Sequence, residues 1–179
     1  MEYTTEITNL QIVKMKDDNE NGCWGAVIKR SLKSSQFYVI EKTPEIASSF
    51  YFSLVEPTIV FTLTKSAPKF LLELLLLKVE PLAEDFTSVG DLCKQVNVLD
   101  NRPMWIDDSE IQSTAELCEK CRRMKEEHHI QFVVIDDFQH LPTPQSVREG
   151  MEAPDANYKQ LCQLAKELDI VVVGLLDTR

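Results

Sequence analysis

Glycine is scarce in this sequence: five residues in 179, Gly22, Gly25, Gly90, Gly150 and Gly174, where average usage of about 7% would supply more than twice as many. None lies between residues 26 and 89. That gap weighs against a glycine-rich phosphate loop in the first half of the chain, because such a loop needs backbone that can approach a phosphate closely. Basic charge is short as well, with 19 Lys+Arg against 29 Asp+Glu, a formal net charge of -10 and a pI near 4.8. A domain that grips nucleic acid by itself through phosphates presents a basic surface, so DNA contact is expected only inside a larger assembly. Long apolar runs are absent too: the longest, Phe70 to Val79, is interrupted by Glu73 and Lys78 and is too short to span a bilayer. The start, MEYTTEITNL, has no cationic segment leading into an apolar one, so no secretory signal is expected. Five cysteines, an odd count, fit a reducing compartment better than a disulfide scaffold. The expectation is a soluble, cytoplasmic protein with no membrane contact.

What the sequence does contain is a regular alternation of strand-like and helix-like stretches from residue 36 onward. Residues 1–35 form an N-terminal lead-in: Ile7 to Lys16 alternates like a strand, Asp17 to Gly22 is a polar turn cluster, and Cys23 to Arg30 reads as a second strand, so a hairpin or a short strand-and-helix both fit. Strands are predicted at Gln36–Ile40, Thr58–Leu63, Pro103–Ile106, Gln131–Asp136 and Asp169–Leu176. Between them the pattern predicts a turn at Thr43–Glu45 followed by a helix from Ala47 to Val55. A second helix around Phe70–Leu77 has Ser66 as its cap and Pro68 in its first turn, where the missing N–H costs nothing. A third covers Asp85 to Val98. Ser113-Thr114-Ala115-Glu116 matches a capping box opening a helix to about His128. A polar segment from Leu141 to Ala156 precedes the last helix, Asn157 to Leu168. Strands apolar throughout, alternating with helices, describe an α/β fold over residues 36–179: a mostly parallel central sheet flanked by helices. Ligands in such sheets bind beyond the carboxyl ends of the strands. The candidates there are Glu41 to Ser49, Thr64-Lys65, Asp107-Asp108, Asp136 to Gln139 and Asp177 to Arg179.

Several side-chain groups stand out. Val133-Val134-Ile135-Asp136-Asp137 is an apolar strand ending in aspartate, as a Walker B motif requires for holding Mg²⁺ or its water; it is equally the polar end of an ordinary buried strand. Cys118 and Cys121, with His128 and His129, are zinc-ligand types, but on one continuous helix their spacing suits an amphipathic stripe of Leu117, Cys121, Met124 and His128 facing the core. Leu71, Leu72 and Leu74 to Leu77 are expected to be a well-buried helix face, with a partner-docking stripe as the alternative. Lys120, Arg122, Arg123 and Lys125 interleave with Glu116, Glu119, Glu126 and Glu127, which predicts an ion-paired, solvated helix surface and not a DNA grip.

Taken together, longer stretches carry a resemblance. Leu117 to His128, with Arg122-Arg123 inside it, followed by Val134-Ile135-Asp136-Asp137-Phe138-Gln139, is similar to the Leu-x-x-x-x-Arg-Arg-x-x-x-x-His helix and Ile-Asp-Tyr-Leu-Gln strand of the DnaB-type bacterial replicative helicases, in their RecA-like C-terminal domain. Pro103 to Asp108 looks like that family's preceding strand, and Tyr158 to Gly174 its stretch containing Leu-Ala-Lys-Glu-Leu. Ser31 to Pro44 falls in register with the family's lead and first strand without a gap. The resemblance covers about residues 31–179 and implies a RecA-like P-loop-NTPase-type fold.

It also implies losses. After Pro44 the family's phosphate loop reads Ser-Met-Gly-Lys-Thr-Thr, whereas this chain reads Glu45 to Phe50, with Ala47 at the glycine and Ser48 at the lysine. Losing that lysine removes the main point charge on the β- and γ-phosphates, and Glu45 adds a negative one. Thr64 stands where the family has its general-base glutamate, and Leu175-Leu176 stand where it has Ser-Gln. The family's arginine finger lies on strands beyond the position matched by Arg179. What the resemblance leaves is a remnant nucleotide and Mg²⁺ site of Ser48, Ser49, Asp136 and Gln139, with no catalytic residue and no metal site. The expected function is a domain with a degenerate ATP site, a non-catalytic binding or structural module linked to DNA replication or recombination. It takes no cofactor and associates with a protein partner or with itself. The other reading is a functional ATP-dependent DNA helicase or ATPase subunit. It would hold ATP and Mg²⁺ at those four residues, with its lysine supplied by Lys42, Lys65 or a neighbouring subunit.

Overall fold

A computed structural model describes residues 5–7, 31–79, 96–97, 99–142 and 153–177. Six strands form one sheet: β1 (Thr5–Ile7), β2 (Gln36–Lys42), β3 (Thr58–Thr62), β4 (Met104–Asp107), β5 (Phe132–Asp136) and β6 (Val171–Asp177). Their order is β1-β2-β6-β5-β3-β4, and every neighbouring pair is parallel. Among the described residues the helices that cover it are α1 (Pro44–Ser53), α2 (Ala67–Val79), α3 (Thr114–His128) and α4 (Ala153–Leu168), with a 3₁₀ turn at Phe138–His140. The predicted parallel α/β architecture is what the chain adopts.

The period-two pattern of the strands builds two cores. On one face Phe37, Phe61, Val133 and Val172 meet Leu117 of α3 and Leu161 of α4. On the other, Ile40, Val60 and Val134 meet Phe50 of α1 and Phe70 of α2. Covered on both faces, β3 and β5 are buried at every position, which is why they read as unbroken apolar runs and not as alternating ones.

Differences from the expected elements have local causes. The turn expected at Thr43–Glu45 is absent, because α1 starts at Pro44 and not at Ala47. Thr43 is its N-cap, accepting from the Ile46 N–H at 3.3 Å, and Pro44 occupies the first helical position, where its fixed φ suits the helix. α4 begins at Ala153, four residues before the expected start. The capping box of α3 is half-formed. Ser113 Oγ accepts from the Glu116 N–H at 3.2 Å, but Glu116 Oε2 accepts from the N–H of Gln112 at 2.9 Å and not from that of Ser113. Replacing Ser113 by Ala is expected to cost about 1 kcal/mol of stability, as loss of a serine N-cap does; urea unfolding midpoints measure it. The lead-in stretches Thr8–Arg30, most of the helix predicted over Asp85–Val98, and residues 143–152 of the polar segment lie outside the described residues.

Helix α2 divides its leucines. Phe70 and Leu74 are buried, whereas Leu72 and Leu76 are about half exposed, so the well-buried leucine face expected there is met only in part. On α3 the predicted ion-paired surface is present and reaches further than expected. Arg122 pairs with Glu119 one turn back and makes two bonds to Glu167 of α4, Nε–Oε1 at 2.7 Å and Nη2–Oε2 at 3.0 Å. His128 does not face the core. It is exposed and stacks on Trp105 of β4, ring centroids 4.6 Å apart. No helix among the described residues is long and apolar enough to cross a membrane.

Candidate functional site

The carboxyl ends of β2, β5 and β3 meet in one network of charges. Asp136 closes β5 and is buried at 4% exposure, since the four apolar residues before it, Phe132 to Ile135, carry it to the middle of the sheet edge. Register sets Asp136 opposite Leu175 of β6 and Lys42 opposite Asp177, so Lys42 ends β2 on the far side of β6 and bridges across it. Its Nζ donates to Asp136 Oδ1 and lies 3.2 Å from Asp137 Oδ1. The second oxygen of Asp136 accepts from the Tyr51 hydroxyl of α1 at 2.6 Å. Asp137 adopts a left-handed backbone, φ 59° and ψ 55°, a conformation aspartate tolerates better than most residues. That reversal starts the 3₁₀ turn and leaves the Asp137 carboxylate between Lys42 and the Thr64 hydroxyl, which donates to Oδ2.

One ammonium thus faces two carboxylates, and two hydroxyl donors complete the set. Burial alone would lower the pKa of Lys42, but the charges and hydrogen bonds of Asp136 and Asp137 outweigh it and hold the ammonium above its ordinary value. Burial alone would raise that of Asp137, but the Thr64 hydroxyl and Lys42 hold the carboxyl below its ordinary range. Burial, then the Asp136 charge, pushes the Tyr51 phenol well above its usual value, so it stays a donor.

The corner between β2 and α1 is short. Lys42 is the last residue of the strand, Pro44 the first of the helix, and Thr43 alone links them. The first turn of α1 is closed on itself: Thr43 Oγ1 takes the Ile46 N–H and Thr43 O takes the Ala47 N–H at 2.9 Å. A helix N-terminus attracts anions through N–H groups left without partners, and these two are engaged.

Of the four residues expected to form the site, Asp136 lies in the network with Lys42 and Tyr51. Ser48 and Ser49 lie within α1; Ser49 is half-buried and its hydroxyl donates to Ile46 O at 3.3 Å. Gln139 lies in the 3₁₀ turn and clasps the end of β6, accepting from the Asp177 N–H at 3.3 Å and donating to Asp177 O at 3.4 Å. Leu175 is buried in the core beneath α1 and α2, and Leu176 packs against the core on the opposite face. The lysines named as substitutes are both paired, Lys42 as above and Lys65 with Glu73 at 2.6 Å. Tyr51 escaped the sequence reading because an isolated tyrosine on an apolar helix gives no sign of a partner 85 residues away. Elsewhere, Cys118 and Cys121 sit in the core as part of the apolar stripe of α3, and burial pushes the Cys118 thiol up to about 11.

Known proteins resemble this chain in sequence and in fold. The family model described as the DnaB-like helicase C-terminal domain matches residues 64–177, a span that begins beyond the β2–α1 corner. The replicative DNA helicase DnaB of Leifsonia xyli subsp. xyli is 30% identical over 91 residues, 51% of this chain and 19% of that protein. That of Rhodothermus marinus is 36% identical over 80 residues, 43% of this chain and 8% of that protein. The chain therefore spans a fifth or less of the length of these relatives. Among solved structures, a DnaB-like replicative helicase, described together with its interactions with primase, superposes with a TM-score of 0.68 at 18% identity, covering 94% of this chain and 49% of that one. A solved ATPase domain gives a TM-score of 0.66 at 17% identity, covering 94% and 69%. These two likenesses establish the RecA-type helicase fold.

Proposed function

The chain belongs to the family of DnaB-like helicase C-terminal domains, and from that premise we propose that it works as a binding or structural module whose ATP site is degenerate. The observation that carries this reading is the Lys42 ammonium seated on Asp136 and Asp137. A Walker B carboxylate serves Mg²⁺ through its free oxygens, and here both oxygens of Asp136 are bonded, one to Lys42 and one to Tyr51. Ala47 and Ser48 supply neither the glycine nor the lysine of a phosphate loop, and the helix that contains them begins directly after Thr43. The residues present do not fit Mg-ATP, and no hydrolytic step follows from them.

In this reading residues 36–179 are the helicase-type domain and residues 1–35 a lead-in. Ser48, Ser49, Asp136 and Gln139 are remnants of a site, and the module acts in the cytoplasm. It acts through a protein partner or a second copy within a replication or recombination assembly, and an acidic chain of net charge -10 meets DNA only there. Titration of Mg-ATP against thermal stability tests it. A ligand at a hundred times its Kd stabilises by about 2.7 kcal/mol; the expected result is no shift at millimolar nucleotide and no phosphate release. A clear shift with phosphate release would establish instead a working ATPase subunit in which Lys42 leaves Asp136 for the nucleotide.

A further inference from the structure

Asp136 and Asp137 are held in the same way, oxygen for oxygen. The Oδ1 of each faces the Lys42 ammonium. The Oδ2 of each accepts from a hydroxyl, that of Tyr51 for Asp136 and that of Thr64 for Asp137. All four carboxylate oxygens are therefore bonded, with one cation bridging the inner two. The three charged side chains are covered, at 10% exposure for Lys42, 4% for Asp136 and 9% for Asp137. Through these five residues β2, β5, the start of the 3₁₀ turn, α1 and the stretch between β3 and α2 are tied to one point.

Adjacent carboxylates at the end of a buried strand repel one another unless a cation lies between them. Mg²⁺ in that position would need oxygen ligands in octahedral geometry and would keep several of its waters. Oxygens that are already bonded and nearly covered leave it no such ligands. An ammonium asks for less. It is a compact charge on a flexible four-carbon stem, and it donates its own hydrogens without a water shell. β6 lies between β2 and β5 in the sheet, so the length of that stem is what carries the charge across to Asp136. Being fixed to β2, the charge is present whatever metal or nucleotide the solution holds.

We infer that Lys42 is a resident cation: its ammonium stands where a divalent ion would bridge Asp136 and Asp137, and it sets these strand ends in one arrangement that neither metal nor nucleotide switches. This deepens the reading of a degenerate ATP site and rests on it. The probe is Mn²⁺ without nucleotide, read by thermal unfolding against EDTA and by electron paramagnetic resonance of the bound ion. Lys42→Ala frees the inner oxygens and the space of the ammonium. Millimolar Mn²⁺ should raise the melting temperature of that variant by about 5 °C or more, as a ligand at a hundred times its Kd does in a domain of this size. Wild type and Lys65→Ala, which frees only the part-exposed Glu73, give the background of an acidic chain. Lys42→Ala with Asp136→Asn should fall to that background, because one of the two bridged charges is gone. Where Lys42→Ala does not fold in EDTA, recovery of its circular dichroism on adding Mn²⁺ reads the same property. A Lys42→Ala variant that Mn²⁺ neither folds nor stabilises beyond the background, or a double variant that responds equally, would overturn the inference. Because no nucleotide is present, either result leaves the degenerate-site reading standing; that reading falls on its own test, phosphate release from Mg-ATP.

Discussion

Replacing Lys42 by Met should destabilise the domain by about 3–5 kcal/mol, the usual effect of removing one partner from a buried ion pair. In a domain of this size each kcal/mol shifts the midpoint by roughly 2–4 °C, so the melting temperature should fall by roughly 10 °C. Three observations lead to this size. Asp136 is almost wholly buried, the Lys42 side chain is itself only 10% exposed, and among the described residues no other cation bonds Asp136. Without Lys42, the neutral Tyr51 hydroxyl is the one described donor left to Asp136, and the carboxylate's charge is uncompensated. Adding Asp136→Asn to the Lys42→Met variant should therefore recover much of the loss, since an amide accepts from Tyr51 without a charge. The pH dependence follows from the shifted groups. The folded-state pKa of Lys42 is raised, so its contribution is complete below the ordinary lysine value of 10.5 and is lost as pH climbs through the raised one. That of Asp137 is depressed, so its contribution is complete above the ordinary value of 3.8 and fades as pH falls through the depressed one. The gap between wild type and variant should be widest between these limits and close toward both extremes. Urea unfolding of the three proteins across pH measures it; a gap under about 1 kcal/mol at neutral pH would show that the pair contributes no more than a surface one.

The second large effect is expected at Gly174, where β6 passes beneath the 3₁₀ turn. A Cβ built there would lie 2.8 Å from Phe138 Cγ and 3.0 Å from Cδ2, closer than carbon atoms approach. Phe138 has nowhere to retreat, since its ring packs on Phe37 at 5.5 Å and on Tyr158 at 5.4 Å. Gly174→Ala should cost about 1–3 kcal/mol, as overpacking a filled core does. Phe138→Ala removes the Cγ and Cδ2 atoms that clash, so the double variant should be more stable than the two single losses predict, with a coupling of about 0.5–3 kcal/mol. Thermal unfolding of the four proteins completes that cycle; strict additivity would mean that the two positions do not meet. Phe138 directly follows Asp137, so the same clash should also disturb the carboxylate that Lys42 and Thr64 hold.

Much of the fold was legible because its strands are short apolar runs and its helix starts carry caps. The unbroken apolar run ending at Asp136 signals burial on both faces, and Ser113 ahead of Glu116 signals a helix start. The β2–α1 corner was misread even though Thr43-Pro44 is itself a helix-start signal. The sequence marked Asp136 as a strand-end carboxylate, and even named Lys42 as a possible source of charge, but the two are 94 residues apart and only the crossover order of the sheet brings them together. Tyr51 is the same case. Propensity and periodicity report on neighbours along the chain, whereas this site is assembled from the ends of strands that are neighbours only in space. The well-buried face expected of α2 is only partly met for a related reason: composition shows that leucines are many, not how many of them the sheet has room to cover.

The order of the strands also governs how the chain can fold. No two strands in the described sheet are joined by a hairpin; every pairing is parallel and needs a crossover. The centre is the most demanding, since residue 36 of β2 finds its partner at residue 171 of β6. During synthesis β3 can meet β4 while the apolar flank of β2 waits for a strand still to be made. Such long-range closure slows folding and prolongs the exposure of sticky edges. A cell making this protein has to shield β2 until β6 arrives, so its yield should depend more on chaperone supply and on the pace of translation than its final stability would suggest.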